Sequence, residues 1–199
     1  MFMRTESVPQ FIRLYPAVSI LLLINILMFF LTSLPIFPEY TILKWLSGFN
    51  RYIAAGEWWR LLSPLFLHVS FSHLLFNCFS IVILAPYLEM ILGHLRFCVF
   101  FLAAGAAANI ATFLLHPMSY VHVGSSGAIF GVLGYYLWLA LIVKDGVARQ
   151  HATTIYGLTA LAVIMTFIQP DVNVTGHLGG FAAGIALAPL FTNSIKGHR

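Results

Sequence analysis

Three polar side chains of types that can carry out hydrolysis occur inside otherwise apolar segments: Ser126, His177 and Asn77. Each lies nearly the same number of residues before a basic residue at the other end of its segment: Lys144, Lys196 and Arg96, respectively. At the helical rise, this spacing corresponds to about 27 to 28 Å in all three segments. Because a polar side chain in hydrocarbon is costly, the shared depth indicates one common site.

The spacing of glycines predicts which two of these segments touch. Glycines recur at helical intervals in the segments that carry the serine and the histidine: Gly127, Gly131, Gly134, Gly180 and Gly184. Glycine faces allow two helix backbones to approach closely. We therefore expect the His177 imidazole to lie near the Ser126 hydroxyl, as in a nucleophile that is activated by a base.

A second pair of polar residues could stabilise the charge that such a reaction develops. His73 and Asn77 are four residues apart and so share a helix face. Their side chains can donate hydrogen bonds to a tetrahedral oxyanion, together with backbone N–H groups at the start of the segment that Ser126 begins.

Each of these residues also has a purely structural interpretation. Serine is a common helix N-cap, so Ser126 can serve as a cap alone. His177 can be a hydrogen-bonded packing residue. His73 and Asn77 can bond each other or a loop.

Other polar residues favour structural roles. We expect His68 and His122 to be solvated loop residues and Glu89 to be solvated at the cytoplasmic end of its segment. We expect Asn25 and Asn109 to make contacts between helices.

The composition excludes several classes of protein. The 199 residues are 60% hydrophobic and 8% charged, whereas soluble domains carry about 25% charged residues. This excludes an ordinary soluble fold, a disordered chain and a nucleic-acid binder, despite the net charge of +4. No histidine is followed by glutamate, so a zinc protease motif is absent. Cys78 and Cys98 lie in apolar runs, and we expect buried thiols rather than a disulfide or a zinc site.

The apolar segments predict an all-α membrane protein, since hydrocarbon requires every backbone polar group to be paired. Six spans are expected, at residues 17–34, 64–92, 95–115, 126–143, 152–168 and 174–191. The first is interpreted as a retained span rather than a signal peptide. Residues 16–192 would then form one membrane domain, with a cytoplasmic tail at 1–15 and another at 193–199.

Basic and aromatic residues predict how the chain sits in the membrane. Six spans place the loops alternately on the two sides of the membrane. The side that includes both termini carries most of the basic residues: Arg4, Arg13, Arg96, Lys144, Arg149, Lys196 and Arg199. The positive-inside rule therefore places both termini in the cytoplasm. We expect the membrane to be the plasma membrane. The long loop at residues 35–63 mixes tryptophan and tyrosine with basic residues, which favours short interfacial helices over a disordered linker.

Four motifs in this order resemble those of the rhomboid intramembrane serine proteases. Gly124-Ser125-Ser126-Gly127 is similar to the family's GxSG, and His73 to Asn77 to its HxxxN. The family's HxxGxxxG corresponds to the stretch from His177 through Gly180 to Gly184, and its Trp-Arg pair to Trp59-Arg60. The resemblance covers residues from about 57 to 186 and implies the minimal six-helix bacterial layout.

The resemblance also implies an activity. Ser126 would be the nucleophile and His177 the general base of a Ser–His dyad. Asn77, His73 and the Ser126 backbone amide would form the oxyanion hole. Some members have tyrosine where Phe130 stands, and its ring stacks on the catalytic histidine. A phenyl ring can still stack, so we expect little loss of activity.

The implied reaction is cleavage of transmembrane protein substrates near the extracytoplasmic face, without metal or other cofactor. Its partners would be the substrate's transmembrane helix and the lipid bilayer. One alternative is a catalytically inactive rhomboid-like protein that binds membrane helices. A small transporter or channel is another, but the chain lacks acidic residues in mid-membrane for ion coupling.

Overall fold

A computed structural model describes residues 2, 4–36, 39–143, 150–170 and 172–192. This part of the chain is mainly helical, which confirms the predicted all-α class. Four of the basic residues that predict the orientation lie outside the described residues: Lys144, Arg149, Lys196 and Arg199. The predicted C-terminal tail at 193–199 also lies outside them.

Two helices at a sharp angle form the N-terminal region. Helix α1 spans Val8–Leu14 and α2 spans Pro16–Leu31, and the two meet at an angle of 113°. A proline that opens a helix loses no intrahelical hydrogen bond, so Pro16 suits the start of α2. The first predicted span therefore begins close to the expected position but ends three residues earlier, at Leu31.

The long loop after α2 contains short helices, as the sequence predicts. Helix α3 spans Glu39–Leu46 and α4 spans Asn50–Ala54, and 3-10 turns follow at Trp58–Leu61 and Ser63–Phe66. The two-residue strands β1 (Gly48–Phe49) and β2 (Val121–His122) were not predicted. They pair antiparallel, with Gly48 opposite His122. The pairing joins the loop to the segment that precedes Ser126.

Arg60 holds this loop together from inside. Its side chain is 2% exposed and donates from Nε to the Glu57 carboxylate at 2.6 Å and from Nη1 to the Ser47 carbonyl at 2.8 Å. The guanidinium also lies over the Tyr52 ring. The neighbouring Trp59 donates its indole N–H to the Trp45 carbonyl. The Trp-Arg pair thus has structural contacts within the loop.

Five longer helices form the rest of the described fold. Helix α5 spans Phe71–Leu92, α6 spans His94–Leu115, and α7 spans Ser126–Trp138 and continues into a π-helical turn at Leu139–Val143. Helix α8 spans Ala152–Ile168 and α9 spans Val174–Thr192. Helix α5 begins seven residues after the predicted start, because residues 63–66 form a 3-10 turn and the Ser70 hydroxyl caps the helix.

Helix α7 lies at the centre, with every residue from Gly127 to Tyr136 buried. Its glycine face packs on that of α9. A Cβ built on Gly180 would overlap the Gly127 carbonyl, and one on Gly184 would overlap the Gly131 carbonyl. The two helices therefore touch backbone to backbone along the faces that the glycine spacing predicts.

By length and hydropathy, three described helices can cross a membrane: α5, α6 and α9. The bent pair α1 and α2 would make a fourth span if it crosses as one unit. The apolar helices that begin at Ser126 and Ala152 are shorter. A count of six spans stays a prediction.

The expectation that Glu89 is solvated is wrong. Its side chain is fully buried and accepts hydrogen bonds from the backbone N–H groups of Ala17 and Val18, at 2.9 and 2.8 Å. A third contact joins it to Nδ1 of His94 at 2.6 Å. The first N–H groups of a helix have no intrahelical acceptor and favour negative charge nearby. Glu89 of α5 therefore caps the start of α2.

Candidate active site

The structure brings Ser126 and His177 together. Ser126 is the first residue of α7 and His177 lies in the first turns of α9. The Ser126 Oγ and the His177 Nε2 are 2.8 Å apart, within hydrogen-bonding distance. Both side chains are partly exposed. The close packing of the two glycine faces makes this distance possible.

Gly124 shapes the turn that leads into Ser126. Its φ of +118° lies in a region that favours glycine. Its N–H donates to the Pro64 carbonyl at 2.8 Å, and a Cβ built on it would lie 2.6 Å from the His73 ring. A side chain at this position would meet both backbone strain and a steric clash. The turn therefore requires glycine, and it brings the His73 ring against the GxSG segment.

Asn77 contacts the same segment. Its Oδ1 accepts a hydrogen bond from the buried Ser125 hydroxyl at 3.2 Å. Its Nδ2 donates to the His73 carbonyl at 2.9 Å, one turn earlier in α5. An amide nitrogen carries two hydrogens, so this bond leaves the second N–H for another acceptor. The structure thus places Asn77 against Ser125 and the His73 ring against Gly124, and the oxyanion role stays a prediction.

Two further side chains contact the His177 imidazole. The Phe130 ring stacks on it, with ring centroids 4.2 Å apart and planes 18° apart. On α8, the Thr166 Oγ1 lies 2.9 Å from His177 Nδ1. Sequence reasoning anticipated the stacking but missed Thr166. Helix α8 contains four threonines, so the sequence carried no signal that would single out Thr166.

The start of α9 is tied to the end of α6, and this fixes the backbone that carries His177. Asn173 donates from Nδ2 to the Thr112 hydroxyl at 2.9 Å and accepts from the Gly176 N–H at 2.8 Å. The His116 Nε2 lies 2.9 Å from the Thr175 Oγ1. These contacts position the first turn of α9 against its neighbour.

The expectation that His68 and His122 are solvated is wrong, because both rings are buried. His68 is 1% exposed and His122 is 8% exposed. Burial is the main cause that lowers the pKa of His68 to about 3, and the charge of the neighbouring His73 adds to it. Burial is also the main cause that lowers the pKa of His122 to about 4, and the charge of His116 adds to it. Both rings are therefore neutral at pH 7.

The two predicted helix contacts by asparagine have different outcomes. Asn109 of α6 is buried and donates to the Leu61 carbonyl at 2.9 Å, so its partner is a 3-10 turn of the loop rather than another helix. Asn25 is fully buried within α2, and its contact with another helix stays a prediction.

The described residues contain no group of three or more His, Cys, Asp or Glu side chains arranged to hold a metal ion. Cys78 and Cys98 are free thiols, each half-buried.

The fold and the site together define a helical membrane protein in which a serine and a histidine from two tightly packed helices are hydrogen-bonded. The family model described as the Rhomboid domain matches residues 55–194. This chain belongs to the rhomboid family, as the four motifs predicted.

Several curated proteins are similar to this chain. It is 42% identical over 191 residues to the "Putative rhomboid protease YdcA" of Bacillus subtilis (strain 168), covering 94% of each chain. It is 37% identical over 139 residues to the "Rhomboid protease GluP" of the same organism, covering 70% of this chain and 27% of that one. It is 32% identical over 141 residues to the "RHOMBOID-like protein 5" of Arabidopsis thaliana, covering 69% of this chain and 45% of that one.

Proposed function

We propose that this protein is an intramembrane serine endopeptidase that cleaves transmembrane substrates near the extracytoplasmic face. The observation that carries the proposal is the 2.8 Å separation between Ser126 Oγ and His177 Nε2. A neutral imidazole at that distance can accept the hydroxyl proton as the oxygen attacks a carbonyl carbon. Relatives named as rhomboid proteases support the proposal.

In the proposed mechanism, Ser126 attacks the scissile carbonyl and His177 takes its proton. The second N–H of Asn77, the His73 ring and the Ser126 backbone N–H would donate to the oxyanion. The first N–H groups of a helix are free for such a role. His177 then protonates the leaving amine, and water hydrolyses the acyl-enzyme with His177 again acting as base. No step requires a metal or another cofactor.

The partners would be the transmembrane helix of the substrate and the surrounding bilayer, with the substrate reaching the site between α5 and α8. We propose that residues 16–192 form a six-span domain in the plasma membrane, with both termini cytoplasmic. Reporter fusions at each terminus test this arrangement. An extracytoplasmic signal from either terminus would overturn the proposed topology.

The catalytic proposal is tested by expressing the protein with a transmembrane reporter substrate. Cleavage should occur with the parent and with Ser33→Ala, which changes an exposed serine outside the site. It should be lost with Ser126→Ala and with His177→Ala. A fluorophosphonate probe should label the parent and not Ser126→Ala. Cleavage that survives Ser126→Ala would end the proposal, and a parent that neither cleaves nor labels would favour the inactive helix-binding alternative.

A further inference from the structure

Thr166 is buried in a helix that otherwise buries little. Of the residues in α8, all of which the structure describes, Ile155 and Thr166 are the two that are buried. The Thr166 hydroxyl donates to the Ala162 carbonyl at 2.9 Å. The same oxygen lies 2.9 Å from His177 Nδ1. Thr166 therefore links α8 to the imidazole in the candidate active site.

These contacts determine where the protons are. A carbonyl oxygen only accepts, so the hydroxyl hydrogen of Thr166 points at Ala162. Towards His177, the Thr166 oxygen must then accept, which requires a hydrogen on Nδ1. In a neutral imidazole with Nδ1 protonated, Nε2 carries a lone pair. That lone pair faces Ser126 Oγ at 2.8 Å.

We propose that Thr166 is a positioning residue for the general base, and this rests on the proposed function. By accepting from Nδ1–H, it selects the tautomer in which Nε2 can take the serine proton. Stacking by Phe130 restrains the plane of the ring. It does not decide whether Nε2 or Cε1 faces Ser126, because a half-turn of the imidazole about its Cβ–Cγ bond preserves the stacking. The directional bond to Thr166 supplies that selection.

Thr166→Val tests the proposal, since valine keeps the shape of threonine and removes the acceptor. We expect kcat for the transmembrane reporter to fall about tenfold, the loss that one neutral hydrogen bond typically produces. KM should be unchanged, because the Thr166 side chain is 3% exposed and so is shielded from the substrate. Thr166→Ser keeps the hydroxyl and should restore kcat to within about twofold of the parent. Thr154→Val makes the same chemical change at an exposed position of α8 and should match the parent.

Nitrogen-15 NMR of histidine-labelled protein reports the tautomer directly, with the His177 signals assigned from His177→Gln. The parent should show the Nδ1–H form, and Thr166→Val should show an increased Nε2–H population. Parental kcat in Thr166→Val would overturn the proposal. So would failure of Thr166→Ser to restore kcat, or an unchanged tautomer in Thr166→Val.

These outcomes are distinct from failure of the proposed function. A parent that neither cleaves the reporter nor reacts with a fluorophosphonate would refute the protease proposal. The NMR measurement would then decide the Thr166 contact alone. An Nδ1–H form that is lost in Thr166→Val supports the contact, and any other result contradicts it.

Discussion

The phenyl ring of Phe130 lies nearly parallel to the imidazole of His177, with the ring centroids 4.2 Å apart. Phe130 follows Ser126 by one turn of α7, so one helix supplies both the candidate nucleophile and the surface that supports its base. This relationship gives the phenyl ring a role that needs no hydroxyl group.

The first prediction concerns this stacking. Phe130→Tyr should keep kcat within about twofold of the parent, because a phenol ring stacks equally well. Phe130→Ala should lower kcat by roughly three- to tenfold, since an aromatic pair contributes about 0.5–1.5 kcal/mol. The measurement is reporter cleavage by variants whose thermal unfolding is also recorded. An unchanged kcat in Phe130→Ala would show that stacking does not support the base.

The second prediction separates the amide of Asn77 from its hydrogen bond with Ser125. Removing one oxyanion donor typically costs on the order of 10²–10³ in rate, so Asn77→Ala should lower kcat by about that factor. Ser125→Ala breaks the same hydrogen bond but keeps the amide, and it should lower kcat far less. Equal losses in the two variants would indicate that Asn77 acts only by holding Ser125.

The third prediction concerns the buried carboxylate of Glu89. Glu89→Ala leaves the N–H groups of Ala17 and Val18 without their acceptor, so the free energy of unfolding should fall by roughly 3 kcal/mol. Glu89→Gln retains one acceptor oxygen, so its free energy of unfolding should fall by less. The matched control is His94→Ala, whose side chain is 64% exposed, with an expected loss below about 1 kcal/mol. Unfolding in detergent micelles measures all three, and a neutral Glu89→Ala would contradict the capping role.

The fourth prediction concerns the contact between α7 and α9. Gly180→Ala places a methyl group on the Gly127 carbonyl, so the helices must separate and both the thermal midpoint and cleavage should fall. Gly157→Ala on α8 is the control, because a Cβ there meets nothing within 4 Å. That variant should unfold at or slightly above the parental temperature. Parental stability and activity in Gly180→Ala would refute the close packing.

The fifth prediction is a loss of stability in acid. His122 has a pKa of 6.5 when exposed and about 4 when folded. Below pH 6.5 the unfolded chain therefore binds a proton that the folded chain does not, and the free energy of unfolding decreases as the pH falls. The loss from His122 should approach about 3 kcal/mol by pH 4. His68, with a folded pKa of about 3, should lower the free energy of unfolding in the same way as the pH falls to about 3.

Thermal midpoints in detergent micelles, measured between pH 7 and pH 4, check this dependence. His122→Gln should flatten the curve, because the amide does not titrate. Identical pH dependence in the parent and in His122→Gln would contradict the role given to this ring.

Much of the site could be predicted from local patterns. Helical periodicity placed the glycines of α7 and α9 on matching faces, and the structure confirms that these faces touch. The nearly equal spacing from basic residues predicted that Ser126 and His177 share one site, and the two side chains do meet. The bounds of α8 were also predicted, since an uninterrupted apolar run between polar segments defines a helix in hydrocarbon. These features depend on residues close together in the chain and on the period of one helix.

Only the tertiary structure decided the partners of the remaining polar groups. Glu89 caps a helix more than seventy residues away, and Thr166 reaches His177 from another helix. His122 is buried in the two-residue ladder, and His68 is buried beside His73. No local pattern specifies such contacts, because a buried polar group takes whichever partner packing brings within hydrogen-bonding distance. The sequence thus determined the elements and their faces, whereas long-range packing decided which side chains meet.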